Sequence, residues 1–143
     1  MMIEFEVSGK PQGKARPRFS RDGRVYTPSA TRAYEKRVRD AYRAQTKNAR
    51  FPSGTPIKAT VAAYFQIPAS TSKKKRATLN GTPYTKKCDI DNLLKLLFDS
   101  VNGAAYDDDA AICEVHAAKF YTAGEPYVLV RLEAVGGGEE EYA

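Results

Sequence analysis

Residues 57–67 alternate between two sets of side chains so regularly that they predict a β-strand with one buried face. The set on one side is entirely apolar and consists of Ile57, Ala59, Val61, Ala63, Phe65 and Ile67. The other side carries Lys58, Thr60, Ala62, Tyr64 and Gln66. A strand with one apolar face is stable only when neighbouring strands and a covering layer remove that face from water. The remainder of the chain is therefore expected to supply both.

Three other segments also predict strands. Residues 2–8 alternate apolar with polar side chains, which is typical of a strand with one buried face. Residues 112–121 and 126–135 have strand character as well. The short linker at residues 123–125 predicts that these last two strands form an antiparallel hairpin.

Two segments have apolar residues at helical spacing. The first is expected to begin with Ser29 or Thr31 as its N-cap and to run to about residue 48. Its predicted inward residues are Ala30, Tyr34, Val38, Ala41 and Tyr42. The second begins at Ile90 and stops at Asn102-Gly103, a usual C-terminal signal. Its predicted apolar stripe is Ile90, Leu93, Leu94, Leu97 and Val101.

The order of these segments predicts an α+β fold. The chain has 143 residues, which suits one domain with its own core. We expect a single domain at residues 1–135, with one mixed β-sheet of about four strands and two main helices packed on one face. Residues 136–143 consist largely of glycine and glutamate and are expected to form a flexible acidic tail.

Acidic residues gather where the second helix begins, in a chain that is otherwise basic. Asp91, Lys95 and Asp99 are four apart and share one helix face, while Asp89 just precedes the helix. A second acidic cluster, residues 107–109, can be brought back toward Asp89 and Asp91 by the returning strand. Carboxylates crowded in this way repel one another unless a hard divalent cation such as Mg²⁺ lies among them. The simpler alternative is that Asp89 caps the helix and Asp91 is an acid favoured by the helix dipole.

Basic residues are concentrated in two connections between these elements. The formal charge is +6, and residues 10–24 contain one acid, Asp22. The bases of this first connection are Lys10, Lys14, Arg16, Arg18, Arg21 and Arg24. Those of the second connection, residues 68–87, are Lys73, Lys74, Lys75, Arg76, Lys86 and Lys87. We expect the second connection to be mobile until a partner orders it. A polyanion is the natural partner of both, and a solubilising basic surface is the alternative.

Cysteine and histidine are too scarce for several kinds of site. The two cysteines, Cys88 and Cys113, form no Cys-x-x-Cys pair and are expected to be small, half-buried fillers. The single histidine, His116, leaves little for zinc sites or for nucleophile–base pairs, and we expect it to be structural, on a strand. No apolar run approaches membrane-spanning length, and the first residues carry no signal-peptide pattern. We therefore expect the protein to stay in the compartment where it is made.

Several short motifs along the chain form a recognisable combination. The N-terminal ones are Gly9-Lys10-Pro11, Arg16-Pro17-Arg18, Tyr26-Thr27-Pro28 and Tyr34-Glu35. The central one is Asp89-Ile90-Asp91-Asn92-Leu93-Leu94-Lys95, and the last runs from Asn102-Gly103 to Tyr106-Asp107-Asp108-Asp109. With these motifs, which extend over most of the chain, the sequence resembles the RusA-type Holliday junction resolvases, small bacterial and prophage endodeoxyribonucleases. The central motif and the downstream acidic cluster are the specific part of the resemblance.

The resemblance implies a cytoplasmic, bacterial or phage-encoded homodimer that acts on branched DNA in recombination and repair. Such an enzyme makes paired nicks in a four-way junction with Mg²⁺ or Mn²⁺ and without a small-molecule cofactor or a membrane. The metal-site aspartates of the family fall on Asp89, Asp91 and Asp109, and its functional lysine falls on Lys95. Asp109 is matched through a family Asp-Asp-Ala-Gln motif, in which Ala111 here replaces the glutamine. Asp108 therefore stays open as an alternative ligand.

The same interpretation assigns supporting roles to other residues. Asp99 is expected to lie just outside the ligand set. Phosphate contacts are expected first from Lys14, Arg16, Arg18 and Arg24, and then from Lys73, Lys74, Lys75, Arg76, Lys86 and Lys87. An aromatic ring at Phe19, Tyr26 or Tyr84 is a candidate wedge for the junction centre. Two alternatives are a nuclease of the same chemistry that prefers flaps or single strands, and a non-catalytic architectural DNA-binding protein.

Overall fold

A computed structural model of the protein describes residues 1–136. The strands are β1 (Met2–Ser8), β2 (Arg18–Phe19), β3 (Val25–Tyr26), β4 (Ile57–Gln66), β5 (Ile112–Thr122) and β6 (Tyr127–Ala134). The helices are α1 (Ser29–Thr46), α2 (Lys73–Leu79) and α3 (Ile90–Ser100), with a short 3-10 turn at Asp109–Ala111. The predicted acidic tail lies outside the described residues, except for Gly136.

One mixed four-stranded sheet organises the domain, as the sequence predicts. Its strand order is β1-β6-β4-β5. β6 is antiparallel to both of its neighbours, whereas β4 and β5 run parallel. The short strands β2 and β3 form a separate antiparallel hairpin within the first basic connection. The α+β class is therefore confirmed.

The predicted hairpin between the last two strands is wrong. β5 and β6 lie on opposite sides of β4 and do not pair with each other. Because neighbouring strands are about 4.8 Å apart, the linker at residues 123–126 has to cross about 10 Å, which four extended residues can span. β4 is central because β6 pairs with one of its edges and β5 with the other, and every second side chain from Ile57 to Phe65 is buried.

Helices α1 and α3 cover the apolar face of the sheet. α1 contributes Tyr34, Val38 and Tyr42 to the same core as the inward residues of β1, β4 and β6. The buried residues of α3 are Leu93, Leu96, Leu97 and Ser100. These positions share one face at helical spacing. Leu93, Leu97 and Val101 are buried as predicted, whereas Leu96 and Ser100 were not in the predicted stripe. Ile90 is exposed and Leu94 only half-buried, because the contact face is rotated toward Leu96 and Ser100.

The connection between β4 and α3 is ordered, contrary to the mobile loop that we predicted. Ser72 caps α2 by accepting a hydrogen bond from the backbone of Lys75. Residues 81–84 then run along the outer edge of β5 and exchange backbone hydrogen bonds with Lys119 and Tyr121. An edge strand offers unpaired backbone groups, and this segment satisfies them. The connection is therefore held by the sheet without a partner.

Candidate active site

The two acids at the start of α3 have no compensating partner within residues 1–136. Asp89 occupies the N-cap position, but its side chain makes no capping hydrogen bond, and only its carbonyl oxygen accepts from the backbone of Leu93, at 3.1 Å. Asp91 lies in the first turn. Both residues are exposed, and neither carboxylate forms an ion pair with a described residue. Side-chain capping therefore does not account for Asp89.

Two side chains hold the three carbonyl groups that lead into Asp89. The ammonium group of Lys119, on β5, donates to the carbonyl oxygens of Lys86 at 2.7 Å and Cys88 at 2.8 Å. The hydroxyl of Tyr84 donates to the intervening carbonyl of Lys87 at 3.0 Å. The Tyr84 ring is itself fixed, because it stacks on Phe65 with ring centroids 3.9 Å apart. This arrangement, which we call the carbonyl bracket, sets the direction in which the chain enters α3.

The first basic connection holds the opposite side of the same helix start. The backbone N–H of Lys14 donates to the carbonyl oxygen of Asn92 at 2.9 Å. Gly13 approaches so closely that a Cβ atom there would lie 2.9 Å from the Cβ of Asn92 and 3.2 Å from that of Cys88. Such distances leave no room for a larger residue. The helix start is therefore clamped between β5 and the first basic connection.

Lys14 is engaged with two carboxylates. Its ammonium group lies 3.0 Å from Glu35 of α1 and 3.5 Å from Asp99 of α3. Burial alone would lower the pKa of Lys14, but the hydrogen bond and charge of Glu35, together with Asp99, outweigh burial and raise it. Lys14 thus links α1 to α3 as a charged residue, and we leave it out of the DNA surface proposed below.

The downstream acids lie beside the second half of α3. Partial burial raises the pKa of the Asp109 carboxyl, the charges of Asp108 and Asp99 raise it further, and Lys95 opposes the shift. Lys95 in turn lies 3.9 Å from Asp99, with its side chain 64% exposed. The structure therefore brings Asp99, Asp108, Asp109 and Lys95 together. Asp91 is one turn before Lys95 on the same helix face, and Asp89 lies beyond it.

Asp107 and Asp108 differ in their surroundings. Asp107 pairs with the guanidinium of Arg50 and accepts a hydrogen bond from Ser53. Asp108 accepts a long hydrogen bond from the amide of Asn102, at 3.4 Å, and its side chain also interacts with that of Asp109. Asp107 is thus neutralised by a structural pair, whereas Asp108 stays beside Asp109 as an open alternative.

The carboxylates of Asp89, Asp91 and Asp109 suit a hard cation chemically, although they do not form a closed metal-binding site. No three His, Cys, Asp or Glu side chains in residues 1–136 are close enough together to form a metal-binding group. The neighbouring acids Asp99 and Asp107 already have cationic partners, while Asp89, Asp91 and Asp109 form no salt bridge with any described residue. Uncompensated carboxylate oxygens are the ligands that Mg²⁺ and Mn²⁺ prefer. The three aspartates therefore fit such an ion chemically and remain a proposed ligand set.

A continuous groove leads from the first basic connection to Asp89. One section of about 440 Å³ is lined by Lys10, Arg18 and Lys87, among other residues. The next section, also about 440 Å³, is lined by Lys87, Asp89 and Asn92. Gly13, Ala15, Lys87 and Cys88 line both. Cationic residues therefore line the groove on the way to the acidic helix start.

Most of the predicted phosphate contacts are exposed. Those on the surface are Arg16, Arg18, Arg24, Lys73, Lys74, Lys75, Lys86 and Lys87. Arg24 has Asp22 within 3.3 Å, and both remain largely exposed. Arg76 is different, because its guanidinium donates to the carbonyl oxygens of Pro68 and Ala69 and so closes the loop after β4. The basic residues therefore divide into an exposed majority and two, Lys14 and Arg76, that hold the fold.

The surroundings of the two cysteines and the histidine can be compared with the sequence predictions. Cys88 is half-buried, as predicted, and burial raises the pKa of its thiol. Cys113 is exposed, so the prediction that it fills a half-buried position is wrong; its place near the start of β5 leaves it outside the core. His116 lies on β5 as expected, 3.0 Å from Glu114. Within residues 1–136, no helix is long and apolar enough to cross a bilayer.

Comparison with known proteins agrees with this arrangement. The family model "Endodeoxyribonuclease RusA" matches residues 8–133, which include the groove, α3 and all three downstream aspartates. A relative is the uncharacterized protein YqaN of Bacillus subtilis (strain 168), which is 32% identical over 139 residues. That match covers 93% of this chain and 96% of the relative. On the strength of the family match, the chain belongs to the RusA family of endodeoxyribonucleases.

Proposed function

We propose that this protein resolves four-way DNA junctions by paired nicks that depend on Mg²⁺ or Mn²⁺. The observation that carries the proposal is an uncompensated carboxylate, Asp89, at the end of a basic groove, with a second one, Asp91, in the first turn of the helix that begins there. Bare acids beside a polyanion would weaken its binding, whereas a cation between them and a phosphate makes the arrangement favourable. Family membership supports the chemistry of DNA strand cleavage.

Asp89, Asp91 and Asp109 would hold the metal, with Asp108 as the alternative to Asp109. A bound Mg²⁺ supplies a more acidic water and charge neutralisation at phosphorus. The carbonyl bracket orients the chain before Asp89, and the Lys14 pair with Asp99 holds α3 against α1. Asp99 supports the site from outside the ligand set by pairing with Lys14 and Lys95.

Lys95 would act on the phosphate. Its ammonium group is largely exposed and lies at the long limit of an ion pair with Asp99. An exposed lysine one helical turn from Asp91 can bind the scissile phosphate and stabilise the charge that develops on it. An isolated i,i+4 ion pair contributes only about 0.3 kcal/mol to stability, so the pair with Asp99 gives Lys95 only a small structural role.

The exposed bases would position branched DNA around this site. Phosphate contacts give affinity without reading sequence, which suits a substrate recognised by shape. Because two symmetric strands must be cut, a homodimer with twofold symmetry fits the substrate. We propose that the enzyme works in the cytoplasm of a bacterium, in recombination and repair of host or prophage DNA.

The decisive experiment compares a synthetic mobile four-way junction with linear duplex and flapped duplex. Each substrate is incubated with the protein in Mg²⁺ and in a chelator, and the products are mapped on both strands. Paired, metal-dependent nicks on the junction are the expected result. Equal cutting of flaps and junctions would instead indicate a broader branch nuclease. Tight junction binding with no cutting under any metal condition would favour an architectural protein and overturn the proposal.

A further inference from the structure

The β2–β3 hairpin exposes apolar side chains that the fold does not use. Phe19 is 74% exposed and Val25 is 60% exposed, although both belong to residue types that are usually buried. The two residues are directly opposite each other in the antiparallel pair, so their side chains project from the same face of the hairpin. A paired apolar projection of this kind is typical of a binding element.

The hairpin is built to present this face in a fixed shape. The backbone N–H of Ser20 donates to the carbonyl oxygen of Arg24 at 2.8 Å, and that of Gly23 donates to Ser20 at 3.0 Å. Gly23 has a φ of +84°, a conformation that glycine adopts without strain. Ser20 also hydrogen-bonds the carboxylate of Asp22, which accepts from the backbone of Arg24. Phe19 and Val25 therefore project from a closed turn.

The charged residues near Phe19 and Val25 indicate what kind of partner these two side chains would bind. Arg16, Arg18, Arg21 and Arg24 flank them in the sequence, and all four are exposed. An apolar pair on a hairpin rich in arginine matches a nucleic acid, where stacked bases lie between phosphates, better than it matches an apolar protein surface. Arg18 pairs with Tyr26 on the other face of the hairpin and lines the groove that leads to Asp89. A DNA strand in the groove would thus run along the Arg18 face of the hairpin, and Phe19 and Val25 would project from the opposite face toward an adjoining arm.

The third aromatic candidate is committed elsewhere. Tyr84 stacks on Phe65, contacts the edge of Tyr121 and donates to the carbonyl of Lys87. Moving its ring into DNA would break the carbonyl bracket. Tyr26 is 46% exposed but shares the groove side of the hairpin with Arg18, so it would face the strand in the groove and not the space between two arms. Phe19 and Val25 are thus the side chains available to enter a branch point.

We propose that Phe19 and Val25 insert against unstacked bases at the centre of a DNA junction. The inference rests on the proposed function, because it names the part of the branched substrate that the hairpin contacts. Bases at a branch point are the most easily unstacked in the molecule, since their neighbours belong to different arms. An apolar wedge held by flanking arginines would hold them apart and place the scissile phosphate in the groove.

The test uses junctions that carry 2-aminopurine either at the branch point or within an arm. Asp91→Asn protein is used so that binding is observed without cutting, and Phe19→Ser/Val25→Ser is added to that background. We expect branch-point fluorescence to rise about threefold or more on binding, the rise to be lost in the hairpin variant, and the arm probe not to respond. Met2→Ser, which removes another exposed apolar side chain on the far edge of the sheet, is the control.

Cleavage by proteins with Asp91 intact separates the two proposals. The hairpin variant is expected to nick junctions about 10-fold more slowly than the Met2→Ser control. If wild-type protein nicks junctions in Mg²⁺ and the hairpin variant keeps the full fluorescence rise and the full rate, the wedge is refuted and the resolvase proposal stands. If wild-type protein nicks no junction but the hairpin-dependent fluorescence rise remains, the wedge stands and the resolvase proposal fails. Equal melting temperatures for the variants show that folding is intact.

Discussion

The ammonium group of Lys119 donates a hydrogen bond of 2.8 Å to the carbonyl oxygen of Cys88, the residue immediately before Asp89. The same group also binds the carbonyl of Lys86, so a single side chain on β5 holds two carbonyl groups of the segment that leads into the helix. A strand of the sheet thereby fixes the approach to a carboxylate that lies on a different element.

Lys119→Met is expected to impair metal use more than DNA binding. Without the ammonium group, the carbonyls of Lys86 and Cys88 lose their donor and Asp89 loses its fixed direction. Residues that orient metal ligands typically alter affinity or activity by about 10- to 100-fold. The half-saturating Mg²⁺ concentration for nicking should therefore rise about 10-fold, while junction affinity measured in a chelator stays unchanged. Lys119→Arg should recover part of the loss, and an unaltered Mg²⁺ titration for Lys119→Met would contradict this role.

Asp91→Asn is expected to abolish cleavage and to retain or tighten junction binding. The substitution removes a proposed metal ligand and, with it, a negative charge that repels phosphate. Cleavage and binding are measured on the same junction at matched Mg²⁺. Asp107→Asn is the control, because this acid is already paired with Arg50 and should leave cleavage intact. Normal nicking by the Asp91 variant would remove that residue from the site.

Replacing Arg16 and Arg18 by alanine is expected to weaken junction binding and to flatten its salt dependence. Each lost phosphate contact lowers the slope of log affinity against log salt by about 0.9, so the slope should fall by about 2. Arg131→Ala offers a control, since Arg131 lies on β6 and is paired with Glu4 at 2.8 Å. An unchanged slope in the double variant would place this connection away from DNA.

Gly13→Ala is expected to destabilise the fold by about 1–3 kcal/mol, because the new methyl group would overlap Asn92 and Cys88. Urea unfolding of both proteins gives the difference. Gly124→Ala is a matched control, since its nearest neighbour would be a side-chain oxygen of Thr122 at 3.6 Å. That control should change stability by less than about 0.5 kcal/mol. Equal stabilities for Gly13→Ala and the wild type would show that the loop can move away from α3.

The contribution of Asp107 to stability is expected to depend on pH. The hydroxyl of Ser53 and then the guanidinium of Arg50 hold the pKa of Asp107 below its ordinary value. A carboxyl with a lower pKa in the folded chain stabilises the fold above its unfolded pKa and loses that contribution as the pH falls through the folded value. Asp107→Asn should therefore lower the Tm at about pH 7 and have little effect near pH 2. An equal decrease at both pH values would rule out the ionised pair.

Local patterns were sufficient to predict the principal elements. The alternation at residues 57–67 and the helical spacing after Ile90 depend on neighbours in sequence, and both elements form within a few residues of the predicted bounds. The acidic helix start could be found for the same reason, since Asp89 and Asp91 are close in sequence. The buried face of α3 was harder to predict. Leu94 and Leu96 are both apolar, and tertiary packing determines which of them is buried.

Strand order and the carbonyl bracket could not be predicted in this way. A short linker is compatible with a hairpin, and β5 and β6 are apart because each pairs with a different edge of β4. Lys119 is a single lysine on an otherwise ordinary strand, and its partners are carbonyl groups 31 and 33 residues away. Backbone acceptors have no sequence signature, so no pattern identifies a side chain that binds them.

The position of β6 has a consequence for the synthesis of this protein. β6 ends at Ala134, yet it separates β1 from β4 and hydrogen-bonds to both. A chain still attached to the ribosome before this strand emerges cannot join its first strand to the centre of the sheet. The core that supports α3 is then incomplete, and native packing has to wait for long-range pairing. Nascent chains should therefore lack the native support of α3 until β6 has emerged from the ribosome.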